Sequence, residues 1–125
     1  MSKNDILKGC RVLVVEDETM IAMLVEDMLA DLGCVVVGPA HDLGTATALA
    51  GGGEAIDAAL LDVNLAGRPV FALADMLRAR GVPMVFATGY GEGGLREIDA
   101  AAPVLQKPYR AADLARALGE ALGAD

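Results

Sequence analysis

Cys10-Arg11-Val12-Leu13-Val14-Val15-Glu16-Asp17-Glu18 is a short apolar run that stops abruptly at three carboxylates. Its middle is β-branched and apolar at consecutive positions, the pattern of a strand buried on both faces and not one alternating between core and water. Val35 to Gly38, Ala58 to Leu61, Pro83 to Ala87 and Val104 to Gln106 repeat that pattern further along the chain.

Between these runs the spacing turns helical. Ile21, Leu24, Val25, Met28 and Leu32 form one apolar stripe, with Gly33 placed to end the helix in a left-handed residue. Asp42 is placed to cap a second helix reaching Leu49 and the Gly51-Gly52-Gly53 run. Pro69 suits the first turn of a third, which carries Phe71, Ala74 and Leu77 and stops at Gly81. A weak fourth helix is expected from Gly94 to Ala101, and a fifth, capped near Arg110 or Asp113, carries Leu114, Leu118 and Leu122. The alternation predicts an α/β fold: a (βα)5 doubly wound, parallel five-stranded sheet of flavodoxin-like order 2-1-3-4-5, with helices on both faces.

The 125 residues, 54% hydrophobic and 22% charged, suit a single domain over 1–125 with a core from about 9 to 122. A formal net charge of −8, with ten scattered basic residues, excludes a nucleic-acid surface. No apolar run is long enough to span a membrane, and Met1-Ser2-Lys3-Asn4-Asp5 leads into no signal region, so a cytoplasmic location is expected. Cys10 and Cys34 form neither a Cys-x-x-Cys nor a metal motif and are expected as free, buried thiols. His41, alone of its kind and in a loop, reads as a surface residue and not as a phosphate relay.

In a doubly wound sheet the functional crevice lies outside the carboxyl ends of the strands. Strand one ends in Glu16-Asp17-Glu18, strand three at Asp62, strand four at Thr88, and strand five runs into Lys107-Pro108. Singly, each has a plain explanation: helix-start acids, an Asx turn, a turn threonine, a solvated lysine. Their joint placement on one edge does not. Clustered carboxylates repel unless a cation neutralises them, and a hard all-oxygen site suits Mg²⁺. Asp62 can then attack phosphorus to form an acyl phosphate, with the Thr88 hydroxyl and the Lys107 ammonium facing the charged oxygens. No Walker A loop and no Gly-x-Gly-x-x-Gly follows the first strand, which removes the nucleotide and dinucleotide readings.

Val14-Val15-Glu16-Asp17-Glu18, Leu60-Leu61-Asp62-Val63-Asn64-Leu65, Phe86-Ala87-Thr88-Gly89-Tyr90 and Gln106-Lys107-Pro108-Tyr109 together resemble the receiver domains of two-component signalling. The resemblance implies that Asp62 is the phosphoacceptor, fed by a histidine kinase or a histidine phosphotransfer protein. It implies Mg²⁺ bound by Asp17, Asp62 and the backbone carbonyl of Asn64, with Glu16 assisting through water. Thr88 and Lys107 then contact the phosphoryl group, and Lys107-Pro108 is a cis peptide. It implies a signalling domain and not a free-standing enzyme; with the chain ending soon after the fifth helix, no output domain is expected.

The Phe86-to-Tyr90 stretch looks like a bacterial subgroup of stand-alone receivers. Two positions depart from the commoner pattern. Ala66 stands where a proline often follows the acceptor, and Val104 stands where an aromatic usually sits. A short β-branched Val104 cannot make the swing of an aromatic switch. The expected switch is therefore the glycine-rich loop 89–94, with Tyr90 changing exposure as Thr88 engages phosphate. The competing reading is a pseudo-receiver, a protein-interaction module with the same fold but no phosphorylation.

Overall fold

The computed structural model describes residues 3–65, 68–89, 96–99 and 101–123. The chain runs α1 (Lys3–Leu7), β1 (Arg11–Val15), α2 (Thr19–Asp31), β2 (Val35–Ala40), α3 (Leu43–Gly51) and β3 (Ala58–Asp62). It continues through β4 (Asn64–Leu65), β5 (Arg68–Pro69), α4 (Phe71–Ala79), β6 (Met84–Thr88), a 3-10 turn at Glu97–Asp99, β7 (Val104–Gln106) and α5 (Ala111–Ala121). The large sheet is parallel with order β2-β1-β3-β6-β7, the 2-1-3-4-5 arrangement expected of the five apolar runs.

Period-two alternation sorts the buried strands between two cores. Leu13, Val15, Ala59, Leu61, Met84 and Phe86 face α3 and α4. Val12, Val14, Ala58, Leu60, Val85 and Ala87 face α1, α2 and α5, together with Cys10 and Cys34. Every residue of β3 and β6 is buried, which explains why these strands read as continuous apolar runs. Both cysteines are free and buried, as expected from their context.

Glycine stops α2 and α4 where anticipated. Gly33 has φ +86°, with Gly33 N–H donating to Ala30 and Cys34 N–H to Leu29; Gly81, at φ +76°, repeats the pattern with Arg78 and Leu77. Both are Schellman ends, in which the left-handed residue lets two otherwise orphaned carbonyls be satisfied. Asp42 caps α3 by accepting the Thr45 N–H at 2.7 Å. At α5 the two candidates share the work: Arg110 is the N-cap residue, and Asp113 accepts its backbone N–H at 3.0 Å.

Four expectations need correction. The buried face of α2 is Ala22, Val25 and Leu29, while Leu24 is 57% exposed. Three large apolar residues, Met20, Met23 and Leu24, thus sit on the outside of the helix and blur its stripe. Pro69 belongs to β5 and not to a helix; a short antiparallel ladder, Asn64 opposite Pro69 and Leu65 opposite Arg68, intervenes before α4. Where a helix was expected over 94–101, the described residues hold only the 3-10 turn at Glu97–Asp99. Finally, α1 was not anticipated; it packs on α5 and is anchored by the fully buried Leu7.

Candidate functional site

Parallel strands deliver their C-terminal residues to one edge, so the end of β1, the end of β3 and the β7–α5 connection meet. Glu16 follows β1 with the parity of Val12 and Val14, and Asp62 closes β3 with that of Ala58 and Leu60, so both lean to the α2–α5 side. One carboxylate oxygen from each of Glu16, Asp17 and Asp62 lies within 4.8 Å of the others. Glu16 and Asp62 are buried, and Asp17 is half-buried.

A single ammonium reaches this group among the described residues. Lys107 Nζ stands 2.6 Å from Glu16 Oε1 and 2.8 Å from Asp62 Oδ2. The Glu18 N–H donates to Glu16 Oε2 at 3.0 Å, and the Asn64 N–H donates to Asp62 Oδ1 at 3.1 Å. The second bond folds the chain after β3 back over Asp62, which brings the Asn64 N–H to the site. Lys107 is placed by its own backbone: its N–H donates to the Thr88 carbonyl at 2.8 Å, and Lys107-Pro108 is cis. Thr88, buried at the last position of β6, pairs with Gln106, while Ala87 beside it pairs with Asp62.

The electrostatics follow from burial. Loss of water pushes the Glu16 carboxyl up to about 7; the Lys107 and Glu18 hydrogen bonds pull the other way, and the Asp62 charge adds to the rise. Burial also works against the Lys107 ammonium, but its two carboxylate partners outweigh it and hold the lysine above its ordinary value. Tyr109, half-buried, is raised to about 12, chiefly by loss of water and then by the Glu16 charge. The Lys107 ammonium is shared between Glu16 and Asp62, and the Asp17 carboxylate lies beside them. This donor set of hard carboxylate oxygens fits Mg²⁺.

The structure thus brings together Glu16, Asp17, Asp62, Asn64 and Lys107, and sets Thr88 at the neighbouring strand end. Tyr90, most of the 89–94 loop and Ala66 lie outside the described residues. Val104 is 47% exposed, on the outer strand of the sheet. One neighbour of the site was missed. His41 is on the surface, as its loop position suggested, but its Nδ1 lies 3.0 Å from the backbone carbonyl of Glu16. No motif marks such a contact, because its partner is a main-chain atom just past the end of β1.

Comparison with known proteins agrees with this geometry. The chain is 40% identical to SdrG from Sphingomonas melonis Fr1, with a TM-score of 0.82 over 98% of this chain and 99% of that one. It is similar in fold to the receiver domain of the sensor histidine kinase PA1611 from Pseudomonas aeruginosa PAO1, solved with a magnesium ion in its active-site cleft. That match has 28% identity and a TM-score of 0.76 over 93% and 99% of the two chains. The phyllosphere-induced regulator PhyR of Methylorubrum extorquens is 32% identical over 89% of this chain, which spans only 43% of that regulator's length. A family model described as the response regulator receiver domain matches residues 12–119, and the chain belongs to that family of two-component signalling domains.

Proposed function

We propose that this domain takes a phosphoryl group onto Asp62 from a phosphohistidine donor, a histidine kinase or a histidine phosphotransfer protein, with Mg²⁺ bound at the strand ends. The observation that carries the reading is the buried Asp62 carboxylate, 2.8 Å from the Lys107 ammonium and grouped with Glu16 and Asp17.

Asp17, Asp62 and the Asn64 carbonyl would hold the ion, with Glu16 reaching it through water. When bound, Mg²⁺ neutralises the carboxylates and draws charge from the phosphoryl oxygens. The chain's own groups account for the rest. The Asn64 N–H and Lys107 fix the Asp62 carboxylate in one orientation, so its attack on phosphorus needs little reorganisation. An oxygen–phosphorus bond forms as the phosphorus–nitrogen bond breaks, and the donor imidazole, already carrying a hydrogen on its other ring nitrogen, leaves neutral with the electron pair of the broken bond. Lys107 then pairs with a phosphoryl oxygen, and the Thr88 hydroxyl donates to another.

A donor histidine must come within bonding distance of Asp62, so its protein has to pack beside the site. An apolar groove of about 320 Å³, lined by Ile21, Leu24, Val25, Met28, Pro108 and Tyr109, adjoins it. Exposed Met20 and Met23 extend that apolar face along α2. The groove offers the donor an apolar footing next to the chemistry.

Incubation with acetyl phosphate and Mg²⁺, followed by intact-mass measurement, tests the assignment. The expected result is one added phosphoryl group on the wild type, none without Mg²⁺, and none on Asp62→Asn. Equal Mg²⁺-dependent labelling of Asp62→Asn would overturn Asp62 as acceptor. No labelling of the wild type would favour a pseudo-receiver.

A further inference from the structure

His41 touches the site from a strand that supplies none of the candidate ligands, and the path of β2 explains how. β2 pairs with β1 in simple register at Arg11↔Val35, Val12↔Val36 and Leu13↔Val37, then inserts one residue before Val15↔Ala40. Gly38 sits in this bulge at φ +98°, where an added Cβ would stand 2.8 Å from the Ala40 nitrogen and 3.3 Å from the Val14 oxygen. Only glycine fits there. The bulge carries Ala40 and His41 past the end of β1 and over Glu16.

Both main-chain groups of Glu16 are consequently tied to β2. Its N–H donates to the Ala40 carbonyl at 3.0 Å, and its carbonyl lies 3.0 Å from His41 Nδ1. A carbonyl only accepts, so Nδ1 carries the hydrogen of this bond. The Glu16 carbonyl belongs to the same planar peptide unit as the Asp17 nitrogen. Holding that oxygen therefore fixes the plane from which the Asp17 side chain departs.

We propose that His41 is a positioning residue, whose Nδ1–H bond to the Glu16 carbonyl preorganises Glu16 and Asp17 for Mg²⁺. The inference rests on the reading of the acidic edge as an Mg²⁺ site. Removing one such bond weakens ion binding by about three- to tenfold, the range for a single net hydrogen bond.

The test is a titration with Mg²⁺ alone, followed by NMR at the Glu16 and Asp17 amides, on wild type, His41→Ala, His41→Asn and His41→Gln. Melting in EDTA is recorded for all four. The Asn side-chain nitrogen stands at the same branch position as Nδ1, whereas the Gln nitrogen stands one atom further out. Asn is expected to retain near wild-type Mg²⁺ affinity, and Ala and Gln to lose it several-fold, with all four melting within a few degrees in EDTA. A merely structural role would move melting and affinity together and would not separate Asn from Gln. Wild-type affinity in Ala, or an Asn variant as weak as Ala, overturns the inference while leaving the Mg²⁺ site standing. A wild type that binds no Mg²⁺ overturns the reading of the acidic edge, and this inference with it.

Discussion

Asp62 and Asp99 are both buried carboxylates beside basic side chains, yet their surroundings are built in opposite ways. Asp99, with no exposed surface, accepts from Arg78 and, at 2.8 Å, from Arg96. Arg96 also reaches Asp75 at 2.9 Å and lies 4.6 Å above the Phe71 ring, so two guanidiniums meet two carboxylates. Asp62 shares one ammonium with Glu16, and Asp17 crowds the same space. The first cluster is balanced and ties the Glu97–Asp99 turn to α4. In the second, Glu16 and Asp62 share one ammonium, with the Asp17 carboxylate close by, an acidic grouping of a kind that suits a divalent cation. The first cluster is rich in arginine, and the second is rich in carboxylates.

The largest expected effect tests the balanced side. Burial alone would raise the Asp99 carboxyl, but the Arg96 and Arg78 hydrogen bonds win and hold it below the ordinary carboxylate range. Asp99→Ala removes the buried carboxylate that two guanidiniums share and should cost up to about 3 kcal/mol, the range for a lost hydrogen bond to a charged group. Urea unfolding of this variant measures it. A loss below about 1 kcal/mol would place this network with ordinary surface ion pairs.

The acidic edge should answer to pH with the opposite sign. Glu16 is raised in the folded state to about 7 from an ordinary 4.5, so the folded chain holds that proton more tightly than the unfolded chain. The associated stability is present below about pH 4.5 and is lost as pH rises through 7. Measured in EDTA as the difference between wild type and Glu16→Gln, the loss should be on the order of 1–3 kcal/mol. Saturating Mg²⁺ should remove most of it, because the ion favours the ionised carboxylate. A difference that stays flat across this pH range would mean that Glu16 is already compensated without the ion.

How legible these regions were in the sequence differs for physical reasons. The three central strands declared themselves because burial on both faces forces consecutive apolar residues, the edge strands β2 and β7 were legible as apolar runs despite their exposed positions, and Gly33 and Gly81 marked two helix ends. The acidic edge was legible for a related reason: each of its side chains immediately follows one of those runs, so topology alone gathers them. The α2 face was misread because Met20, Met23 and Leu24 place apolar residues where an amphipathic helix usually carries polar ones. The β4–β5 ladder is two residues per strand, too short for any periodicity, and it took Pro69 from the helix it seemed to start. α1 offers five residues and one fully buried anchor, Leu7. The Asp99 network had no signal, since Arg78 and Asp99 are 21 residues apart and only folding puts a buried acid between two arginines. His41 escaped for the same reason, since its partner is a carbonyl.

The central contrast is that the acidic edge gathers carboxylates in a way that suits a cation, and Mg²⁺ tests it most directly. Thermal or urea unfolding of the wild type should show stability rising with added Mg²⁺, by about 1.4 kcal/mol at ten times the dissociation constant. Asp17→Asn should lose most of that rise, while Asp75→Asn, in the balanced cluster, should keep it. A wild-type stability that does not move with Mg²⁺, or a rise that survives Asp17→Asn unchanged, would contradict the account.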